Sequence, residues 1–191
     1  RKRSSAASDV YKRQAMTVEL DAKTADYTGT QHLVYTNNSP EALTKVFYHL
    51  YFNAFRPESD MAIRLKNGGD KNRRFKVSID SLTAFQQGYL KVSSLKQDDV
   101  PLQTVESGTI LEVTLNTPLI SGASTVLDLT FNGHVPDMIR RGGKNTKEGV
   151  AFSMAQWYPK LSEYDVDGWN TDPYTGREFH GVWGDFDVKI T

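Results

Sequence analysis

The chain has no cysteine, which removes disulfide frameworks, thiolate nucleophiles and cysteine-ligated metal from its chemistry while leaving its compartment open. Histidine is scarce as well. The four stand at 32, 49, 134 and 180, with no His-x-x-x-His pair and no His-Glu-x-x-His run, so the usual helical zinc-ligand arrangement is missing from these residues. There is no Gly-x-Ser-x-Gly elbow to present an activated serine, and Gly68-Gly69-Asp70-Lys71 is a two-glycine turn, not a phosphate-cradling loop. No apolar run approaches the roughly 18 residues that a membrane span requires. Internal repeats, heptads and low-complexity tracts are also lacking.

Charge of one sign is missing overall, since 23 basic residues balance 23 acidic ones. The balance hides an asymmetry: residues 1–14 carry five basic side chains against Asp9, so residues 15–191 hold an excess of four acidic groups. A mildly acidic body argues against general nucleic-acid binding, which needs a basic face to displace counterions from phosphate. The opening RKRSSAASDVYKRQ has no apolar segment after it, so it does not read as a secretory leader. It is similar to the adapter-type translations found at the ends of assembled metagenomic reading frames. We therefore set residues 1–14 aside as a non-native or disordered tail and take residues 15–191 as one domain, a length that supports a real core.

What is present is strand after strand. MTVELDA from Met16 and YTGTQHLVYT over 27–36 alternate apolar and polar residues, followed by an Asn-Asn-Ser-Pro turn at 37–40. Residues 45–52, KVFYHLYF, predict a further strand, with His49 as a hydrogen-bonded core residue. Residues 56–74 predict a polar excursion with a short helix near 58–66. Clean period-two patterns return at 88–95, 109–115 and 125–132, separated by turn residues at 98–101, 107–108 and 121–122. The expectation is an all-β fold, an antiparallel β-sandwich or saddle. The basic, glycine-bearing run between His134 and Glu148 reads as a solvated loop, with a loop lining a substrate entrance as the sharper alternative.

Residues 152–191 hold all three Trp and nine of the 21 aromatic residues, interleaved with seven carboxylates. So many rings require burial or a ligand. Asp165, Asp167 and Asp172 do not meet the spacing of a calcium loop. Glu163 and Glu178, lying among aromatics able to stack on sugar rings, leave a glycosidase-type carboxylate pair open. Trp157, Tyr158, Trp169, Tyr174 and Trp183 either line a peptide pocket or plug the sandwich, and packing is the favoured reading. His180 reads as a packing ring.

Several ordered blocks in this stretch carry a resemblance. Gln156-Trp157-Tyr158-Pro159-Lys160, Tyr164-Asp165, Gly168-Trp169, Asp172-Pro173-Tyr174, Gly176-Arg177-Glu178-Phe179 and Gly184-Asp185-Phe186-Asp187-Val188 resemble the end of the N-terminal β-domain of M1 family zinc metallopeptidases, in a Bacteroidetes-like branch. Tyr27-Thr28-Gly29-Thr30, the stretch from Val34 to Pro40 and that from Val46 to Phe55 resemble its first strands. The resemblance implies a saddle-like domain packed on a catalytic domain of the same chain, where the zinc and its His-Glu-x-x-His ligands would reside. It implies no cofactor in these residues, a peptide as substrate, and at family level a periplasmic or extracellular setting.

On that resemblance the chain stops short of the catalytic domain. Family members also lend a Gln or Glu from this domain to the substrate's free amine. The region here reads Ala155-Gln156-Trp157-Tyr158-Pro159, without the family's Thr-Gln-x-Glu and Arg. Gln156 is the nearest candidate and Glu148 a weaker one, since an amide or carboxylate oxygen accepts from an ammonium in a partly desolvated site. A structural role for Gln156, bonding a neighbouring strand or loop, is as well supported by the residues. Two alternatives stay open: a stand-alone β-sandwich binding module for glycans or peptides, and a non-catalytic scaffold related to the peptidases.

Overall fold

The structure, a computed structural model, describes residues 12–68, 78–137, 142–146, 148–176, 181 and 184–191. Glu178, Phe179, His180 and Trp183, each given a reading above, lie outside the described residues.

Eight strands run in order through the body: β1 (Lys12–Leu20), β2 (Asp26–Thr36), β3 (Leu43–His49), β4 (Tyr89–Gln97), β5 (Val100–Pro101), β6 (Gln103–Ser107), β7 (Ile110–Leu119) and β8 (Ser124–His134). The last third adds short pieces, β9 (Gly143–Lys144), β10 (Phe152–Ser153), β11 (Lys160–Leu161), β12 (Tyr164–Asp165) and β13 (Gly168–Trp169), and then a longer strand, β14 (Asp185–Ile190). They form a six-stranded sheet in the order β14-β1-β2-β8-β4-β5 and a four-stranded sheet in the order β11-β3-β7-β6, with two small hairpins, β9-β10 and β12-β13. This is the expected all-β sandwich.

The two-residue period carries through to burial. In β1 the even positions Lys12, Gln14, Met16 and Val18 are buried and the odd ones exposed, and β8 buries Thr125, Leu127, Leu129 and Phe131 in the same way. β1 begins at Lys12, inside the segment set aside in the sequence. The inward rows of both sheets meet in one core that includes Leu33, Tyr35, Val46, Tyr48, Leu90, Val113 and Leu127. The Asn37–Pro40 turn is built on its first residue: the buried Asn37 donates from Nδ2 to Leu119 O at 2.8 Å and to Glu41 O at 2.7 Å, and its Oδ1 accepts from Ser39 N at 3.0 Å.

Two predicted elements differ in extent. The strand read over 45–52 stops at His49, and Tyr51–Phe55 forms a 3-10 turn with all five residues buried. A strand cannot bury consecutive side chains on one side, whereas this turn directs them all into the core. Asn53 ties it down, accepting from Leu90 N at 2.8 Å through Oδ1 and donating from Nδ2 to Gly108 O at 3.3 Å. The short helix forms over Asp60–Lys66 as α1, capped by Ser59, whose hydroxyl accepts from Ala62 N at 3.1 Å. Asp60 in its first turn and Arg64 and Lys66 in its last suit the helix dipole.

Residues 157–175 run as a strap over the sandwich. Ser162 N donates to Phe47 O at 2.8 Å, Tyr164 bonds Glu41, Tyr174 N donates to the Thr109 hydroxyl at 2.9 Å, and Arg64 donates to Thr175 O at 3.0 Å. The rings of this stretch become part of the core. Trp169 meets Tyr35, Phe47 and Tyr164, with the Tyr164 centroid 5.2 Å away. Tyr174 sets its edge to Tyr51 at 5.4 Å. His49 is buried, stacks on Tyr51 at 4.9 Å, and shares a hydrogen bond with Asn170 O at 3.0 Å, as a core histidine should.

Candidate functional site

Of the side chains singled out in the last third, Trp157 packs at the end of the six-stranded sheet where β2 begins, β8 ends and β4 begins, whereas Trp169 packs on Tyr35 at the other end of β2. Register brings these strand ends together: His134 sits opposite Asp26 on one side and opposite Tyr89 on the other.

Two glycines shape this end. Tyr27 pairs with Gly133 and Gly29 with Phe131 across β2 and β8. A Cβ at Gly133 would collide with the Tyr27 ring and one at Gly29 with the Phe131 ring, so each aromatic lies over the glycine opposite it. The two rings meet edge to face at 6.2 Å, and Trp157 closes on both, 6.1 Å from Tyr27 and 6.3 Å from Phe131. Tyr158 follows, 5.4 Å from Trp157 and 6.0 Å from Phe186. The Tyr27 hydroxyl donates to Trp157 O at 2.6 Å. Burial holds the Tyr27 phenol well above its ordinary pKa, so it stays a donor.

Beside this aromatic cluster lies a buried polar one. Lys144, expected in a solvated loop, is 3 % exposed, and this corrects the reading of that segment at β9. Its Nζ donates to Phe85 O at 2.5 Å, Val135 O at 2.7 Å and His134 Nε2 at 2.8 Å, using all three of its protons. It also lies 4.2 Å from the centre of the Phe85 ring. His134, buried itself, contacts Asp26 Oδ1 through Nδ1 at 2.8 Å. With its proton on Nδ1, His134 gives Asp26 a donor and Lys144 an acceptor, and its Nε2 also lies 2.9 Å from Phe85 O. Burial pulls the Lys144 pKa down, while the charges of Asp137 and Asp26 act the other way. For Asp26, burial pushes up, yet hydrogen bonds from His134 and Thr24 and the nearby positive charge leave it below the ordinary carboxylate value.

The β9-β10 hairpin grows from this cluster. Lys144 N donates to Pro136 O at 2.8 Å, and Gly143 and Lys144 pair with Ser153 and Phe152. Gly142 fits only as glycine, since a Cβ there would come within 2.9 Å of Ala155 N and Ser153 O.

Gln156, the first candidate for a substrate contact, comes next in the chain. Its φ of 58° is in the left-handed region, which a glutamine seldom enters. Its side-chain Oε1 is buried and has no hydrogen-bond partner among the described residues. Glu148 is exposed in the loop joining β9 to β10, where Gly149 N donates to Thr146 O at 3.1 Å. The register of the hairpin puts that loop beyond the Lys144–Phe152 end and Gln156 beyond the Gly143–Ser153 end, so the two candidates are not brought into one site.

The Asp26–His134–Lys144 cluster was not visible in the sequence as a site. In the structure the alternation of β8 ends at Gly133, and His134 after it is buried out of turn. Among the described residues no group of three or more His, Asp or Glu could hold a metal ion, and no helix is long and apolar enough to cross a membrane.

No family model matches the sequence, and no curated protein does. Solved structures do. The chain is similar to a mutant M1 zinc metallopeptidase of Deinococcus radiodurans bound to a Tyr-Ser-Ala substrate, at 16% identity and TM-score 0.53, over 96% of this chain and 32% of that one. It is similar to a two-domain M1 zinc metallopeptidase mutant bound to L-tryptophan, at 16% identity and TM-score 0.51, over 95% of this chain and 32% of that one. A third, the two-domain form bound to L-arginine, matches at 18% identity and TM-score 0.50 with the same coverage of 95% and 32%. The chain thus spans about a third of the length of these structures. At such identities the likeness establishes architecture: this chain has the fold of a β-rich third of the M1 zinc metallopeptidase structures.

Proposed function

We propose that the chain is the N-terminal, non-catalytic β-domain of a zinc-dependent M1-type aminopeptidase, packing on a catalytic domain of the same polypeptide and helping to shape its peptide-binding cleft. The observation that carries this reading is on β14. Phe186, Val188 and Ile190 pair in register with Gln14, Met16 and Val18, so they lie on the buried side of the sheet. Yet they remain 48%, 40% and 52% exposed. An apolar row that continues a core-facing surface into solvent is a surface made to be covered. The fold likeness supports a covering domain in the same polypeptide, since the similar structures have about two-thirds of their length outside the match.

Within this reading the chain contributes binding, not bond cleavage. Zinc would be held, and peptide hydrolysis performed, by the catalytic domain. Gln156 would offer its free Oε1 to the ammonium of a peptide's first residue, an acceptor whose buried setting strengthens a charge-assisted hydrogen bond. Glu148, exposed on the hairpin loop, would be a secondary contact.

The test is in the gene and in the protein. The reading frame carried past Thr191 should reach His-Glu-x-x-His, and a frame that continues without it would replace the enzyme by a non-catalytic scaffold. The purified chain should bind no stoichiometric zinc and hydrolyse no aminoacyl substrate, and robust metal-dependent turnover by it would overturn the proposal. The stand-alone binding module needs free rings, and Trp157, Trp169 and Tyr174 are engaged in the core. Nothing in the described surface favours it.

A further inference from the structure

The Gln156 turn is held from both sides, and both holds start at neighbouring residues of β2. Upstream, Asp26 bonds His134, His134 bonds Lys144, and Lys144 fixes β9, on which β10 and then Ala155 are laid. Downstream, the Tyr27 hydroxyl grips Trp157 O, the carbonyl immediately after Gln156. Side chains of successive strand residues point to opposite faces, so Asp26 and Tyr27 reach the turn by separate routes.

A left-handed glutamine relaxes unless its surroundings over-determine it. Here the backbone is paired at Ser153, three residues before Gln156, and held at Trp157, one residue after it, and the side-chain Oε1 is kept buried without a partner among the described residues. Lys144 lies outside the apolar core, and although the Tyr27 ring belongs to that core, it is the hydroxyl at its tip that reaches the turn. Lys144 also brings a charge into a buried place, a costly device for closing a two-residue hairpin and a reasonable one for fixing a recognition group to the nearest rigid strand.

We propose that Lys144 and Tyr27 are positioning residues that together hold Gln156 in its left-handed conformation, Lys144 through the β9-β10 hairpin and Tyr27 through the Trp157 carbonyl. The proposal rests on the reading of Gln156 as a substrate-amine acceptor, and its test can fail independently of that reading.

The test is amide hydrogen exchange on this chain, comparing the wild type with Tyr27→Phe, Lys144→Met and Lys144→Arg. Tyr27→Phe removes one hydroxyl and leaves the ring packing. It should raise exchange at residues 156–158 at least tenfold while leaving β3 and β7 unchanged. Lys144→Met keeps volume and loses the donors, and it should raise exchange from 143 through 156 by a similar factor. Lys144→Arg, which keeps the charge and donors, should recover part of the protection. Should Lys144→Met fail to fold, Tyr27→Phe and Lys144→Arg decide the matter.

Unchanged exchange at 156–158 in Tyr27→Phe, or loosening in the Lys144 variants that stops at 143–145, would overturn the proposal and reduce both residues to local structural anchors. The reading of Gln156 is tested separately, by Gln156→Ala in the full-length protein. If that variant leaves KM for free-amine peptides unchanged, the amine contact falls, and the exchange result stands or falls by itself.

Discussion

The ring of Tyr27 occupies the space that a side chain at Gly133 would fill, and two residues along the same strand pair the relationship is reversed, with Phe131 over Gly29. Glycine in a strand interior normally weakens it, but here each glycine gives an aromatic a flat seat and lets the two rings meet.

Gly133→Ala and Gly29→Ala should each destabilise the chain by about 1–3 kcal/mol, the usual cost of forcing extra atoms into a packed core. The two should differ in how they can be relieved. Phe131→Leu should recover part of the Gly29→Ala loss and none of the Gly133→Ala loss. Denaturant midpoints of the three single and two double variants measure this coupling, and strict additivity would refute the ring-over-glycine account.

Lys12 carries a pH signature. Its Nζ is buried and donates to Leu161 O at 2.9 Å, and burial, with repulsion from Lys160, lowers its pKa to about 7 against an attraction from Glu163. In the unfolded chain the amine keeps its proton to about 10.5. Between those values the unfolded state binds more protons, so stability rises with pH across that window. The stability difference between Lys12→Met and the wild type should therefore favour the variant most below pH 7 and shrink as the pH climbs toward 10. Urea melts at pH 6, 7.5 and 9 measure it, and a flat difference would mean that Lys12 stays charged in the folded chain.

The row on β14 should make the isolated chain associate. Sedimentation velocity at rising concentration should show self-association, and replacing Phe186 with Ser and both Val188 and Ile190 with Thr should abolish it with little loss of stability, because these side chains are 48%, 40% and 52% exposed. A monomeric wild type at high concentration would speak against a surface made for a partner.

Trp169→Ala should unfold more than it disarms. Its ring lies among Tyr35, Phe47 and Tyr164 under the strap, and truncation should lower stability by roughly 2–4 kcal/mol, somewhat under the figure for a fully buried tryptophan. Thermal unfolding followed by near-ultraviolet dichroism reads this directly. A variant as stable as the wild type would return the ring to the list of ligand contacts.

Most of the sandwich was legible because its signal is local. The alternation in β1, β2, β4, β7 and β8 is written in successive residues, and so are the Ser59 cap and the turn residues between strands. The run at 45–52 misled in one respect, since unbroken apolar residues fit a strand and a buried 3-10 turn equally well, and only tertiary contacts such as Asn53 with Leu90 separate them. β6 escaped notice because all five of its residues are exposed on a sheet edge. At the candidate site, Gln156 was marked through the resemblance carried by Ala155-Gln156-Trp157-Tyr158-Pro159. Its left-handed backbone was not foreseeable, because nothing about a glutamine announces that conformation. Lys144 was hidden more thoroughly: its three acceptors come from Phe85, His134 and Val135, and a lysine among Gly, Asn and Thr looks solvated until those partners are placed around it.

The six-stranded sheet ends in a parallel pair, β1 beside β14, and the Thr191 hydroxyl reaches Val18 O across 173 residues of sequence. A ribosome therefore releases the strand at residues 12–20 long before the strand that will flank it. Until residues 185–190 emerge, β1 is an open edge with a hydrogen-bonding row facing solvent. Contacts of such sequence separation slow folding and leave an interval in which a nascent chain can pair wrongly. Synthesis of this protein should accordingly lean on chaperones that shield strand edges, and slower translation beyond residue 134 should cost yield by lengthening the time β1 waits.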